Sequence, residues 1–178
     1  MKLPLLPIKS MADRHVGLTP ALAETYLEAA SVCLSLHHVP PQKFLLKNEP
    51  SERKAIVVWE PPDDRCCAAW ANLSDAARDG AYACAIAAAE LSSGFFAVRR
   101  AETLTGADYY VSSINERSED LENCFRLEVS GTNLDINKVE NRLDEKITQT
   151  KKGQSNLPAI VVIVGFQVKL ILMQLVGE

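Results

Sequence analysis

The sequence predicts an α+β protein with a central mixed sheet, and three observations lead to this fold class. The 178-residue chain has 47% hydrophobic and 24% charged residues, a composition typical of globular proteins. Apolar residues recur at helical spacing in some segments and alternate with polar residues in others. From Ser74 onward, these segments predict the order helix, strand, strand, strand, helix, strand. We therefore expect helices to flank the sheet, with an N-terminal helix and β-hairpin added to this core.

A single domain is expected over residues 1–178, and it divides into three parts. Residues 1–18 are predicted to be a poorly ordered leader. Its short apolar run is broken by Pro4 and Pro7, which is unlike a secretory signal. Residues 19–73 form the helix-and-hairpin addition, and residues 74–178 form the core.

Capping and turn residues indicate the elements of the N-terminal half. Thr19 is the expected N-cap of the first helix, with Pro20 in its first turn, and the segment HHVPP ends this helix. The elements that follow are strands at Lys43–Lys47 and Ala55–Glu60 joined by the turn-rich NEPSER, a short helix after Asp63 or Asp64, and an alanine-rich helix from Ser74 to about Ser92. Gly94 is expected to end that helix.

The core contains three further strand segments, an amphipathic helix and an apolar C-terminal stretch. The strand segments are Phe95–Glu102, Ala107–Ile114 and Cys124–Gly131, and the helix is Asp135–Thr150. The turn at Thr105-Gly106 predicts an antiparallel hairpin of the first two strands. The C-terminal stretch is rich in β-branched residues and is interrupted by Gln167 and Lys169, so we expect one long or two shorter strands, bent at Gly165, and not a membrane helix.

Two acidic residues stand out on adjacent core strands. In FRLEVSGT, Glu128 shares one strand face with Arg126 and Ser130, and Asp108 occupies GADYYV although aspartate is unfavourable inside strands. Carboxylates on neighbouring strands can converge on one Mg²⁺, which prefers hard oxygen ligands. The alternative is structural: Glu128 pairs with Arg126, Arg99 or Arg100, and Asp108 belongs to the hairpin turn.

The element order and these two acids resemble the restriction-endonuclease-like fold of the PD-(D/E)xK phosphodiesterases, over roughly residues 74–176. In that family an Asp on the second core strand and an acid-x-Lys on the third hold a divalent metal, often with a Glu from the first helix. The resemblance implies Asp108, Glu128 and Glu90 as metal ligands and Mg²⁺ or Mn²⁺ as cofactor. It also implies a metal-dependent nuclease, of the kind found in bacterial defence or mobile-element systems.

Glu90 is the third acid that the resemblance suggests. A carboxylate near the C-terminus of a helix is disfavoured by the helix dipole, so a neighbouring positive group should offset it. That group is either a metal shared with Asp108 and Glu128 or an arginine such as Arg99. We predict that Glu90 lies within one bridging water of the Asp108–Glu128 pair.

The chain departs from the family pattern in two places. Ala107 replaces the proline, and Ser130 replaces the lysine that orients water or stabilises charge. Lys146 flanks the apolar stripe of the Asp135–Thr150 helix and is a candidate substitute. Either it completes a catalytic set of Asp108, Glu128, Ser130 and Lys146, or the site is degenerate. In the second case the chain is a catalytically inactive interaction or regulatory protein, which implies a protein partner.

Charge and cysteine usage bound the partners and the compartment. The net charge of −4 argues against coating nucleic acid by bulk electrostatics but leaves room for a local basic groove. Residues suited to a phosphate-binding face are Arg99, Arg100, Arg142, Lys146, Lys151 and Lys152. The acidic loop INERSEDLEN would repel a polyanion if it faced the same groove. Five cysteines without disulfide-framework spacing favour a cytoplasmic protein, and neither GxSxG nor GxGxxG is present.

Overall fold

The computed structural model describes residues 2–117 and 119–177. The helices are α1 (Pro20–His37), α2 (Asp64–Ala69), α3 (Leu73–Ser93) and α4 (Ile136–Lys151), preceded by a 3₁₀ turn at Met11–Asp13. The strands are β1 (Gln42–Asn48), β2 (Ser51–Val57), β3 (Phe96–Arg100), β4 (Tyr109–Ser112), β5 (Phe125–Thr132), β6 (Ala159–Gly165) and β7 (Leu170–Val176).

All seven strands form one mixed sheet in the order β2-β1-β7-β6-β5-β4-β3. The β5–β6 and β1–β7 pairs are parallel and the other pairs are antiparallel. The predicted α+β class is confirmed, and so is the hairpin of β3 and β4. The core follows the predicted order as α3-β3-β4-β5-α4-β6, with α4 as the crossover between the two parallel strands. The β1–β2 hairpin extends the same sheet through β7.

Helices α1 and α3 cover one face of the sheet, and α3 lies very close to both of its neighbours. A Cβ added at Gly80 would lie 2.7 Å from the backbone nitrogen of Ala30 in α1. A Cβ added at Gly131 of β5 would lie 2.3 Å from the carbonyl oxygen of Ala77 and 2.7 Å from the Cβ of Ala81. The alanine-rich sequence of α3 therefore serves a close approach between helix and sheet.

Helix α4 covers the other face, above β5 and β6. Its N-cap is Asp135, whose side chain accepts a hydrogen bond from the backbone nitrogen of Lys138 at 3.1 Å. Val139 is fully buried against the apolar residues of β6, with Leu143 and Ile147 packed beside it. This packing fixes the rotation of α4 about its own axis. The rotation in turn determines which cationic side chains of α4 reach the sheet.

The leader is the clearest difference from the sequence prediction. Leu6, Ile8 and Met11 are buried, with exposures of 4%, 2% and 0%. The backbone nitrogen of Leu6 donates to the carbonyl of Ile56, and the nitrogen of Ile56 donates to the carbonyl of Pro4, both at 2.8 Å. The prediction of a poorly ordered leader is therefore wrong for the described residues, because the apolar side chains between the prolines pack into the core while the backbone follows β2.

Element boundaries differ at other places too. Strand β4 begins at Tyr109, so Asp108, which was predicted to lie inside this strand, comes just before it. Strand β2 begins at Ser51, four residues earlier than predicted, because Asn48 pairs with Ser51 and the turn contains only Glu49 and Pro50. Helix α3 begins at Leu73 because the side chain of Asn72 is its N-cap, where the sequence had indicated Ser74. The C-terminal stretch forms the two shorter strands of the prediction. Within the described residues, no helix has the length and apolar character needed to cross a membrane.

Candidate functional site

Asp108 is held rigidly where the pairing of β4 and β5 ends. Its backbone nitrogen donates to the carbonyl of Leu127 at 2.8 Å. One carboxylate oxygen accepts from the backbone nitrogen of Val129 at 2.8 Å, and the other accepts from the hydroxyl of Tyr82 at 2.8 Å. The carboxylate thus continues the hydrogen bonding of the sheet beyond the last backbone pair, and the aspartate that looked unfavourable from its propensity has a local structural reason.

Glu128 lies next to Asp108 on the face of β5 that α4 covers. Its register follows from the pairing of Tyr109 with Leu127, and its exposure is 4%. The Nζ of Lys146 donates to Glu128 Oε1 at 2.5 Å and to Gln149 Oε1 at 3.2 Å. The structure therefore brings Lys146 to Glu128, the placement that a substitute for the missing motif lysine requires.

The two carboxylates are electrostatically coupled. Burial raises the pKa of the Glu128 carboxyl, the negative charge of Asp108 raises it further, and Lys146 opposes both effects. Lys146 therefore pairs with Glu128, while a nitrogen of Arg100 lies 3.9 Å from Asp108. The two acids still act on each other within an otherwise apolar sheet.

The arginines that the sequence suggested as structural partners of Glu128 lie elsewhere. Arg126 donates to the backbone carbonyls of Thr105, Thr150 and Leu157. The guanidinium of Arg99 forms its ion pair with Glu102. The structural pairing predicted for Glu128 was therefore wrong in its partner, since the cation at Glu128 is Lys146.

Arg100 and three tyrosines form a cluster next to Asp108, on the side of the sheet that α1 and α3 cover. The Arg100 guanidinium carbon lies 4.8 Å from the centroids of both the Tyr82 and Tyr109 rings, and one of its nitrogens lies 3.9 Å from Asp108. The hydroxyl groups of Tyr26 and Tyr109 are 2.6 Å apart. This cluster was missed in the sequence because its members come from α1, α3, β3 and β4 without a local pattern.

Ser130 and Arg142 extend the polar line along the same face of β5. Ser130 lies two residues beyond Glu128, and its hydroxyl accepts a hydrogen bond from Arg142 Nη1 at 3.0 Å. Arg142 and Lys146 are four residues apart and therefore share one face of α4. The hydroxyl of Ser130, at the position of the motif lysine, thus accepts a hydrogen bond from an arginine of the covering helix.

These residues border an open cleft of about 580 Å³ between α3 and α4. Strand β4 pairs with β5 only as far as Leu127, so the end of β5 extends beyond its neighbour and forms the floor of the cleft. The charged and polar lining includes Ser74, Arg78, Tyr82, Asp108, Ser130, Thr132, Asn133, Arg142 and Lys146. Asp108 and Lys146 reach the cleft directly, with Glu128 behind them.

Glu90 does not join this group. Its two carboxylate oxygens accept from Arg14 Nε at 2.7 Å and His15 Nε2 at 2.9 Å. Glu90 lies eight residues beyond Tyr82 on α3, a rise of about 12 Å along the helix axis. No group of three or more His, Cys, Asp or Glu side chains that could hold a metal is found among the described residues. The three-acid arrangement is corrected accordingly: the groups that bond Glu90 are the Arg14 guanidinium and the His15 ring, both from the leader.

The acidic loop lies at the far end of the β4–β5 pair. It connects Ser112 to Phe125, whereas the cleft lies beyond Tyr109 and Leu127. Asn115 in this loop contacts the backbone of Arg14 and Val16 near the leader. The described part of the loop therefore does not line the cleft, so the condition under which it would repel a polyanion there is not met.

No family model, curated protein or solved structure matches the chain. The resemblance to the PD-(D/E)xK phosphodiesterases thus stays a prediction from the residues and the element order.

Proposed function

We propose that the chain is a divalent-metal-dependent nuclease that hydrolyses phosphodiester bonds. One observation carries the proposal: Asp108, Glu128 and Lys146 come from three different elements and converge at one wall of an open cleft. Two carboxylates can hold a divalent metal ion and a lysine can stabilise negative charge, so this group beside a cleft is suited to the hydrolysis of an anionic ester. The core order α3-β3-β4-β5-α4-β6 supports the same function by resemblance.

The two acids fit a small divalent cation. Mg²⁺ is usually held by one or two carboxylates together with waters and substrate phosphate, so a third protein acid is not required. Both side chains offer hard oxygen atoms. Burial and, after it, the charge of Asp108 raise the pKa of Glu128, and a cation bound between the two acids would relieve their repulsion. Mg²⁺ or Mn²⁺ bound there would polarise the phosphate and lower the pKa of a water molecule.

The chain's own residues have distinct roles in this proposal. Tyr82 and the backbone of Val129 orient the Asp108 carboxylate. Lys146 places a positive charge where negative charge grows on the phosphate during the reaction. The hydrogen bond from Lys146 Nζ to Glu128 Oε1 holds the ammonium group of Lys146 beside the acid pair.

A cleavage assay tests the proposal with labelled single-stranded and duplex DNA and RNA in Mg²⁺ or Mn²⁺. The wild type should cleave at least one of these substrates, and EDTA should stop the reaction. Asp108→Asn and Lys146→Met should each lower the rate about 100-fold or more, because each removes a positioned catalytic group. Lys151, which the sequence had suggested for a phosphate-binding face, does not line the cleft in the structure. Lys151→Met is therefore the matched control: it removes one exposed cation from the end of α4, away from the acid pair, and should leave the rate unchanged.

Three results would contradict the proposal. They are an inactive wild type, cleavage that EDTA does not affect, and full activity in Asp108→Asn.

A second function is supported by a different feature of the same site. Lys146 already neutralises Glu128, so this ion pair is satisfied without a metal ion or a substrate. We propose as the alternative a catalytically inactive interaction protein that retains the fold. Affinity purification from native cells should then recover a stoichiometric protein partner. A chain that purifies alone and cleaves nucleic acid would contradict this alternative.

A further inference from the structure

The cations that line the cleft differ in how their charge is balanced. Arg78 is paired with Asp75 at 3.2 Å and with Asp79 at 3.0 Å. Lys146 is paired with Glu128. Within the part of the chain that the structure describes, Arg142 is the one cation of the cleft lining without a carboxylate partner. The cleft therefore has an unbalanced positive charge in a protein whose net charge is −4.

The environment of Arg142 is costly without a further partner. The side chain is half-buried, and its Nε is fully buried with no hydrogen-bond acceptor. A buried donor that lacks an acceptor destabilises the fold. Lys146 lies one helical turn away on the same face, and like charges at that spacing repel. A ligand in the cleft does not reach the buried Nε, but the charge of the guanidinium, which lines the cleft beside Lys146, favours an anionic ligand at its terminal nitrogens.

We propose that Arg142 and Ser130 form a binding subsite for a phosphodiester of a nucleic acid strand. The planar guanidinium can bind two phosphate oxygens at once, and the hydroxyl of Ser130 supplies a further donor. The choice of a nucleic acid as the source of the phosphate rests on the proposed function. The subsite itself rests on the unpaired charge of Arg142.

The position of the subsite suggests which phosphate it takes. Ser130 lies two residues from Glu128 on the same face of β5, a distance of about 7 Å along the strand. A phosphate bound by Arg142 and Ser130 is therefore displaced along β5 from one bound at the acid pair, and it contributes to substrate binding independently of the metal.

Binding of a fluorescent single-stranded DNA of about 12 nucleotides, measured by anisotropy in EDTA, tests this subsite without any metal. Arg142→Gln should weaken binding about tenfold, since it removes a charge-assisted contact. It should also lower the slope of log Kd against log salt by about 0.7, the change expected for one phosphate contact on a single strand. Arg142→Lys keeps the charge but loses the planar fork, so it should weaken binding less than Arg142→Gln.

Lys151→Gln is the matched control because it makes the same change in net charge on the same helix outside the cleft. It should bind DNA as the wild type does. Equal binding by wild type and Arg142→Gln would overturn the subsite, as would an equal loss in Lys151→Gln or no binding by the wild type. Thermal unfolding of each variant shows whether it is folded. If Arg142→Gln is unfolded, the binding of Arg142→Lys is compared with that of the wild type instead.

Failure of the subsite and failure of the proposed function give different results. Asp108→Ala should bind DNA in EDTA at least as tightly as the wild type, because it removes a negative charge from the cleft. Arg142→Gln should bind Mn²⁺ as the wild type does. Loss of Mn²⁺ binding in the wild type with normal DNA binding would overturn only the nuclease, and the reverse would overturn only the subsite.

Discussion

Two clusters along α3 contain buried or partly buried acids, and their surroundings are opposite. At Glu90, each carboxylate oxygen has its own donor, Arg14 on one side and His15 on the other. At Asp108 and Glu128, two coupled carboxylates lie beside an open cleft: Lys146 bonds Glu128, and a nitrogen of Arg100 lies 3.9 Å from Asp108. The first cluster is closed and joins the leader to the core. The second borders the cleft.

This difference separates a structural acid from a candidate functional one. The two oxygens of Glu90 accept from Arg14 and His15, so Glu90 has its counter-ion within the protein. The oxygens of Asp108 accept from a tyrosine hydroxyl and a backbone nitrogen, and the cleft beside Asp108 gives a cation access. Sequence position alone does not make this distinction, because Glu90 and Glu128 are both acids within apolar segments.

The largest effect on the closed cluster is expected from Glu90→Ala. It leaves the Arg14 guanidinium and the fully buried His15 ring without their acceptor, so the free energy of unfolding should fall by about 3 kcal/mol. Urea unfolding monitored by circular dichroism measures it. Glu145→Ala is the control, since it removes an exposed acid on α4 and should cost less than about 0.5 kcal/mol. Equal stabilities of the two variants would show that Glu90 is not a structural tie.

The second cluster depends on the close approach of α3 to β5 at Gly131. Gly131→Ala places a methyl group against the backbone of Ala77, so we expect a loss of about 2 kcal/mol in unfolding free energy. Gly177→Ala is the matched control because no atom lies within 4 Å of its added Cβ. Thermal unfolding compares the two, and a fully stable Gly131→Ala would mean that α3 and β5 are further apart than described here.

Tyr82→Phe tests whether the tyrosine orients Asp108. Removal of the hydroxyl takes one hydrogen bond from Asp108 Oδ1 and should lower stability by about 1 kcal/mol. Mn²⁺ affinity should fall severalfold, but less than in Asp108→Ala. Tyr110→Phe removes the same atom from a tyrosine bonded to Glu102 and should leave Mn²⁺ affinity unchanged. An identical response of both variants would remove Tyr82 from the site.

The smallest expected effect is the pH dependence that His15 confers. Burial lowers the pKa of His15 below its ordinary 6.5, although the hydrogen bond to Glu90 opposes this and Arg14 adds to it. The Nδ1 atom accepts from the backbone nitrogen of Ala97 at 3.0 Å, so the neutral ring donates from Nε2 to Glu90. A second proton on the ring would break the bond to Ala97.

The sign follows from the lowered pKa. Below pH 6.5 the unfolded chain binds a proton at His15 that the folded chain does not, so this contribution to stability falls as the pH is lowered and is complete above 6.5. Urea unfolding from pH about 7.5 to about 5 measures it, with NMR titration of the His15 ring to assign it. A ring that titrates above 6.5 would contradict the burial argument.

The order of the elements was predictable because caps, glycines and periodicity are local signals. Thr19 and Gly94 both occupy the caps that the sequence indicated. The leader was not predictable in the same way. Its apolar residues contact β2 and α1, which are distant in sequence, and prolines that suggested disorder tolerate an edge position.

The candidate site was predictable in its acids and in Lys146, because strand register and helix periodicity fix which residues face each other. The fate of Glu90 was not, since its partners Arg14 and His15 are more than 70 residues away in the chain. The Arg100 cluster and the unpaired charge of Arg142 depend in the same way on contacts between distant segments.

Calorimetric titration with Mn²⁺ tests most directly the claim that the acid pair binds a cation and Glu90 does not. The wild type should bind Mn²⁺ at a single site. Asp108→Ala and Glu128→Gln should each lose that binding, while Glu90→Gln should retain the wild-type affinity despite its lower stability. Absence of binding in the wild type, unchanged binding in Asp108→Ala, or loss of binding in Glu90→Gln would contradict the account.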